Sequence, residues 1–328
     1  MIDAFTEGLG RVRRAPWVVV GLWLSTLVVA LPAALVLHGL IAGHLGDSLM
    51  ADTAARGANY DWWNEFLVQA SGIGQTFVPA IIGFAAVLDN LSRLADNRSL
   101  APALAGLVGT QIVLSVFLSG GVLERLARDR ALGPAAFFSA CGVWFVRFAR
   151  LGVVAALVYW LLFVRLHPWL FDTVYPLSTH ELTVERTAFA VRVALYLVFT
   201  SLVCGVNILF DYAKIRAVVE DRRSMLGALA AGTRFVVRHP AKALALYAMN
   251  VGVYLLVVGI YYLVAPGASA GVLAFALGQL YIVLRVMVRL QFAASQAALF
   301  QQKLAHAGYV ARPLPAWPDS PAAEAIRP

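Results

Sequence analysis

Apolar positions along this chain gather into long runs, without the three-to-four spacing of a soluble helix. The clear runs are Pro16–Ile41, Ala101–Val122, Leu151–Leu166, Thr187–Phe210, Ala241–Ala265 and Ala270–Leu290. Crossing a bilayer core takes roughly 20 apolar residues at about 1.5 Å each, so each run predicts a spanning helix. A further run, Phe77–Leu88, is shorter and passes into polar Asp89-Asn90-Leu91-Ser92-Arg93. A membrane β-barrel would need short alternating segments around a polar lumen, and none is found. The pattern therefore predicts an all-α polytopic transmembrane bundle of about six spans. Residues 1–304 form a single domain, and 305–328 a Pro-rich tail.

Composition agrees. Apolar residues make up 61% of the 328 and charged residues 13%, against about half and a quarter in soluble domains. The net charge of +8 points to membrane orientation and not to nucleic acid, because basic residues mark the cytoplasmic side of a membrane protein. Arg11, Arg13 and Arg14 precede the first run, which is too long for a signal-peptide core and is followed by no convincing small-x-small cleavage site. It is expected to be an uncleaved first span, kinked at Pro32.

Charge also decides the short run. If Phe77–Leu88 does not cross, 20 of the 26 Lys and Arg fall in 1–15, 123–150, 211–242 and the end from Arg285. If it crosses, Arg125, Arg128, Arg130, Arg147 and Arg150 move outside, against the bias where it is strongest. Six spans follow, with both termini in the cytoplasm of a bacterial inner membrane. Phe77–Leu88 becomes a re-entrant or interfacial helix in an external segment of about 43–98. Tyr60-Asp61-Trp62-Trp63-Asn64-Glu65-Phe66 in that segment suits a helix at headgroup level.

Two basic stretches look alike. Asp129-Arg130 followed by Gly142-Val143-Trp144-Phe145-Val146-Arg147 parallels Asp221-Arg222 followed by Gly232-Thr233-Arg234-Phe235-Val236-Val237-Arg238. The Gly-x-x-Phe-Val elements align without gaps, as a duplicated span–elbow–span unit would. In the first copy Phe137, Cys141, Trp144 and Phe148 share one helical face. The expected elbows are amphipathic and half-sunk in the inner interface. Arg147, Arg150, Arg234 and Arg238 would then face anionic headgroups.

Ionisable groups inside spans are costly and point to function. Asp211 ends the fourth span, and Arg285 and Arg289 lie one turn apart near the end of the sixth. An Asp211–Arg285 pair across helices is expected, as a gate, a headgroup site or a structural bridge with snorkelling arginines. Arg192 is expected to snorkel to Glu185 or Asp172. Asn250, Gln111 and Gln279 read as interhelical hydrogen-bond formers. Asp89, Asn90 and Asp96 form an external polar cluster, either a cation site or a helix ending.

No catalytic pattern appears in its structural context. There is no HExxH, and the GxSxG spacing of Gly267-Ala268-Ser269-Ala270-Gly271 sits between two apolar runs, not on the strand-to-helix turn of a nucleophile elbow. Ser119-Gly120-Gly121 lacks the Lys-Ser/Thr of a P-loop and is expected to allow bending or close packing. The six histidines show no pair at ligand spacing, and Cys141 and Cys204 read as small core residues. No metal or cofactor is indicated. The tail around Pro313-Leu314-Pro315-Ala316-Trp317-Pro318 favours extended structure and offers a place for a protein partner.

The stretch from Asp211-Tyr212-Ala213-Lys214-Ile215-Arg216 to Arg238-His239-Pro240, with the apolar span after it, resembles uncharacterised bacterial six-helix membrane proteins. These are loosely similar to the membrane domain that accompanies some glycerophosphodiester phosphodiesterases. The resemblance covers roughly residues 100–300. It implies an inner-membrane integral protein and carries over no phosphodiesterase activity. The leading expectation is a non-enzymatic transport component or envelope-assembly partner, working between two span–elbow–span units lined by Asp211, Arg285, Arg289 and Asn250. The alternatives are a scaffold using segment 43–98 and the tail, or a lipid-modifying enzyme with Asp89 and Asp96.

Overall fold

The computed structural model describes residues 1–46, 48–56, 59–78, 91–265 and 271–303. Most of Phe77–Leu88, together with Asp89, Asn90 and the tail 305–328, lies outside the described residues. The described chain is helical and without strands. An amphipathic helix α1 (Ile2–Arg13) leads into α2 (Pro16–Leu45). Two short helices follow, α3 (Ala51–Arg56) and α4 (Tyr60–Gln69). Then come α5 (Pro102–Arg128), α6 (Pro134–Thr179) and α7 (Glu185–Val219). The amphipathic α8 (Met225–Arg238) precedes α9 (Pro240–Val264) and α10 (Gly271–Lys303). Six of these, α2, α5, α6, α7, α9 and α10, are long and apolar enough to cross a membrane. The molecule is an all-helical six-span bundle.

The spans run further than their apolar runs. α6 continues past Leu166 to Thr179, and Pro168 interrupts its ladder. Around it the helix widens into π-turns at Leu161–Leu166 and Trp169–Val174, one way a helix absorbs a lost hydrogen bond. α10 continues past Leu290 to Lys303, and Ala294, Ser295, Gln296, Ala297, Ala298, Leu299 and Phe300 are all buried. That extension is the hub of the main core, which gathers where the α5–α6 and α7–α8 turns lie. Most of the arginines cluster there, so we call it the basic end. The opposite halves of the spans carry exposed side chains such as Val28, Leu35, Leu197 and Phe275, as lipid-facing surfaces do.

α1 seals the basic end. Ala4, Gly8, Arg11 and Val12 are its buried face, at three-to-four spacing. A Cβ on Gly8 would lie 2.7 Å from the Ser295 backbone nitrogen, so α1 and α10 touch backbone to side. Arg11, only 1% exposed, donates to the Leu126 carbonyl at 3.0 Å and to Gln301 at 2.7 Å, and pairs with Glu7. Gln301 donates to the Ala127 carbonyl at 2.7 Å. These bonds occupy carbonyls that the last turn of α5 leaves without helical donors. The positive charge also suits a helix C-terminus.

The two basic stretches share geometry but not in the expected register. α5 and the α7–α8 connection both turn through a left-handed aspartate, Asp129 at φ +46° and Asp221 at φ +45°. Gly120 and Gly121 stand nine and eight residues before the first; Tyr212 and Ala213 stand likewise before the second. Gly121 receives Cys141, whose Sγ would be 2.7 Å from an added Cβ. Conversely, Gly232 meets the Ala213 backbone, 2.9 Å from an added Cβ. Cys141 therefore matches Gly232, and Trp144 matches Phe235, one residue off the ungapped sequence alignment. Gly142 itself faces open space.

The first elbow is not a separate helix. It forms the start of α6, and its face of Phe137, Cys141, Trp144 and Phe148 packs on the glycines of α5 instead of sinking into lipid. The second elbow, α8, does stand alone. Pro240 supplies no N–H and steers His239 out of helical geometry, and the first copy has no proline there.

Candidate functional site: a charged cavity between five helices

A cavity of about 1100 Å³ lies between α2, α5, α7, α9 and α10. The walls contributed by α2 and the outer part of α5 are largely apolar, with Leu22, Val29, Leu107 and Val108. Asp211, Lys214, Arg285, Arg289 and Gln296 line the part supplied by α7 and α10. Three of the four residues expected to mark a site thus share one cavity. The fourth, Asn250, is fully buried beside it, donating to Ser295 Oγ at 3.0 Å and to the Leu246 carbonyl at 2.9 Å. It ties α9 to α10 and does not line the space.

The expected Asp211–Arg285 pair does not form. Asp211 Oδ1 pairs with Lys214 Nζ at 2.8 Å, one turn along the same helix. Register explains this. Arg216 lies over the Phe300 ring at 5.8 Å, and α7 and α10 run in the same direction, so Asp211 is level with about Ser295. Arg285 is ten residues earlier, about 15 Å away along the axis at 1.5 Å per residue. Its guanidinium instead lies over the Tyr281 ring at 5.6 Å. The i,i+3 spacing of Asp211 and Lys214 was the overlooked signal.

Depth follows from a second register. Gln301 of α10 bonds the Ala127 carbonyl of α5, and these helices also run in the same direction. Sixteen residues earlier on each stand Arg285 and Gln111. Gln111 is nine residues into α5, about 14 Å from its start, near the middle of a bilayer core of about 30 Å. Both arginines are exposed into the cavity. Gln296 is 2% exposed, and neither polar atom of its side chain has a hydrogen-bond partner. Gln111 Oε1 is likewise buried and unbonded. Gln279, by contrast, accepts from Trp23 Nε1 at 3.0 Å, joining α10 to α2.

The elbow arginines divide. Arg147 pairs with the exposed Asp221 at 2.9 Å and lies over the Trp144 ring at 4.6 Å. Arg150, Arg234 and Arg238 are exposed. The latter two line a second cavity of about 470 Å³ with Arg216, Arg222 and His239. Glu220 holds Arg216 at 3.0 Å and also pairs with Arg222. Burial pushes the Glu220 carboxyl up, but hydrogen bonds from Arg222 and Arg216 outweigh it and bring it below the usual range.

At the far end Arg192 does not reach Glu185 or Asp172. Its guanidinium lies over the rings of Tyr175 and Tyr196, at 5.6 and 5.9 Å. The Tyr196 hydroxyl donates to Asp96 at 2.6 Å, and this hydrogen bond holds the Asp96 carboxyl below the usual range. Arg98 pairs with Asp96 at 3.1 Å, and Asn97 donates to the Phe163 carbonyl at 2.8 Å. Asp96 thus belongs to a latch holding 91–98 on α6 and α7. Among the described residues no three His, Cys, Asp or Glu converge as metal ligands would. Trp62 and Phe66 are buried, Trp62 donating to His44 at 3.1 Å. Trp62 and Phe66 of α4 therefore pack on the end of α2, while Tyr60 is exposed.

No protein-family model matches this sequence, and searches of curated proteins and of solved structures find no significant match.

Proposed function

We propose that the chain is a non-enzymatic transport component of a bacterial inner membrane, with the five-helix cavity as its path. One observation carries this reading: Arg285, near mid-bilayer depth, and Arg289, one turn nearer the basic end, both open into a cavity of about 1100 Å³. A cation at that depth is expensive, and sequences keep one there chiefly where it lines a pathway or binds something. A scaffold of simply packed helices has no need of such a space. The positive-inside bias places the basic end in the cytoplasm, with α1 and the end of α10 both on that face. Arg150, Arg234 and Arg238 then meet anionic headgroups, and the tail 305–328 is left for a protein partner.

The test is two-sided accessibility. Ser115 lines the cavity about one turn inside Gln111. In a background of Cys141→Ala and Cys204→Ala, Ser115→Cys in sealed proteoliposomes is expected to react with an impermeant maleimide from either face. Reaction from one face only, or from neither, would overturn the reading.

A further inference from the structure

We infer that the occupant of this cavity is an anionic amphiphile, its headgroup held by Arg285 and Arg289 and its apolar part lying along α2 and α5. This rests on the cavity being the working space of the protein.

Charge balance points there. Of the four charged residues lining the cavity, one is acidic and three are basic. Asp211 and Lys214 neutralise each other. Arg285 and Arg289 remain, and among the described residues no carboxylate is within ion-pairing distance of either. In a low-dielectric setting two uncompensated cations one turn apart repel each other and attract an anion. A bound anion would supply the missing charge.

Size and wall chemistry narrow the class. An inorganic anion fills only a small part of about 1100 Å³, a volume at the top of the roughly 300–1,000 Å³ range of small-molecule sites. The remaining walls, through Val29, Ala33, Leu107, Val108, Leu118 and Val251, offer an apolar body a favourable surface. A headgroup in one half and an apolar portion in the other is the arrangement a phosphate- or carboxylate-headed lipid satisfies.

The test uses the full chain in detergent, offered equal amounts of phosphatidylglycerol and phosphatidylcholine, with retained lipid counted by native mass spectrometry. Phosphatidylglycerol is expected to be retained about tenfold over phosphatidylcholine, with parity in Arg285→Gln/Arg289→Gln. Arg285→Lys/Arg289→Lys, which keeps the charge, retains the preference and guards against a folding defect. Arg186→Gln, which removes an exposed cation outside both cavities, also retains it. Equal retention of the two lipids by the unaltered protein overturns the inference, as does loss of preference in the surface variant. Displacement of the lipid by millimolar inorganic phosphate would identify a small-anion site and overturn the amphiphile assignment. The outcomes separate from those of the maleimide experiment: lipid preference with one-sided labelling leaves a binding site without a path, and two-sided labelling without preference leaves a path for another substrate.

Discussion

Gly8 shows how closely single positions are fitted at the basic end. An added Cβ there meets the backbone and Cβ of Ser295 at 2.7 to 2.9 Å, and neither helix can yield locally. Gly8→Ala is expected to lower stability by about 1–3 kcal/mol through overpacking, read from thermal unfolding in detergent. Gly10 meets only the flexible end of Arg14, at 3.4 Å. Gly10→Ala should therefore gain up to about 1 kcal/mol from helix propensity. Glu220 gives a second test, through pH. Its carboxyl titrates below the usual value of 4.5 when folded, so the unfolded chain binds its proton first. Its contribution is complete above about pH 4.5 and lost as pH falls through the folded value. Thermal midpoints of the native protein should drop on acidification below pH 4.5, and Glu220→Gln should flatten that part of the drop. An equal drop in the variant would assign the acid sensitivity elsewhere.

At the scale of elements, α1 acts through Arg11. Removing the side chain strands the Leu126 carbonyl and takes one partner each from Gln301 and Glu7, of which Glu7 is one-third exposed and keeps Gln302. Arg11→Ala is expected to cost about 2–3 kcal/mol, below the 3–5 kcal/mol of a fully buried pair. Exposed Arg13→Ala should fall within about 0.5 kcal/mol of zero. Unfolding titrations of the two variants side by side would check the difference; equal effects would remove Arg11 from the clamp. The sequence displayed the spans because a bilayer imposes run length. It concealed the ends, because past Leu290 the partner of α10 changes from lipid to protein and the apolar run gives way to Ala, Ser and Gln. Ala4, Gly8 and Val12 carried a readable stripe, hidden behind three arginines that invited a topological reading. Asp211, Arg285 and Arg289 were legible as costly charges. The Asp211–Lys214 pair was legible too, in its i,i+3 spacing; that Arg285 stands out of reach of Asp211 was not, since it depends on an interhelical register that contacts such as Arg216 with Phe300 reveal.

At the scale of the molecule, one question from the apolar pattern was how often the chain crosses between α2 and α5. The basic-end contacts answer it by parity. Arg14 pairs with Asp129 at 2.7 Å, and Arg11 bonds the Leu126 carbonyl at 3.0 Å. The start of α2 and the end of α5 therefore share a face. Each of these helices crosses once, so the chain between them begins and ends on the opposite face. A single extra crossing there would place Arg14 and Asp129 about 30 Å apart across a bilayer core, and their contact could not exist. Reporters inserted before Ile2 and after Arg130 are thus expected on one face, and a reporter after Arg98 on the other. Arg98 and Arg130 reporting the same face would break the six-span order. So would opposite faces for Ile2 and Arg130, which would also dissolve the α1 clamp. The same parity places the end of α10 beside α1, where Gln291 donates to the Phe5 carbonyl at 2.8 Å. The chain thus closes on itself at the basic end; toward the far end the spans are joined by the Asp96 latch, by Trp23 on Gln279 and by Tyr261 stacked on Tyr281.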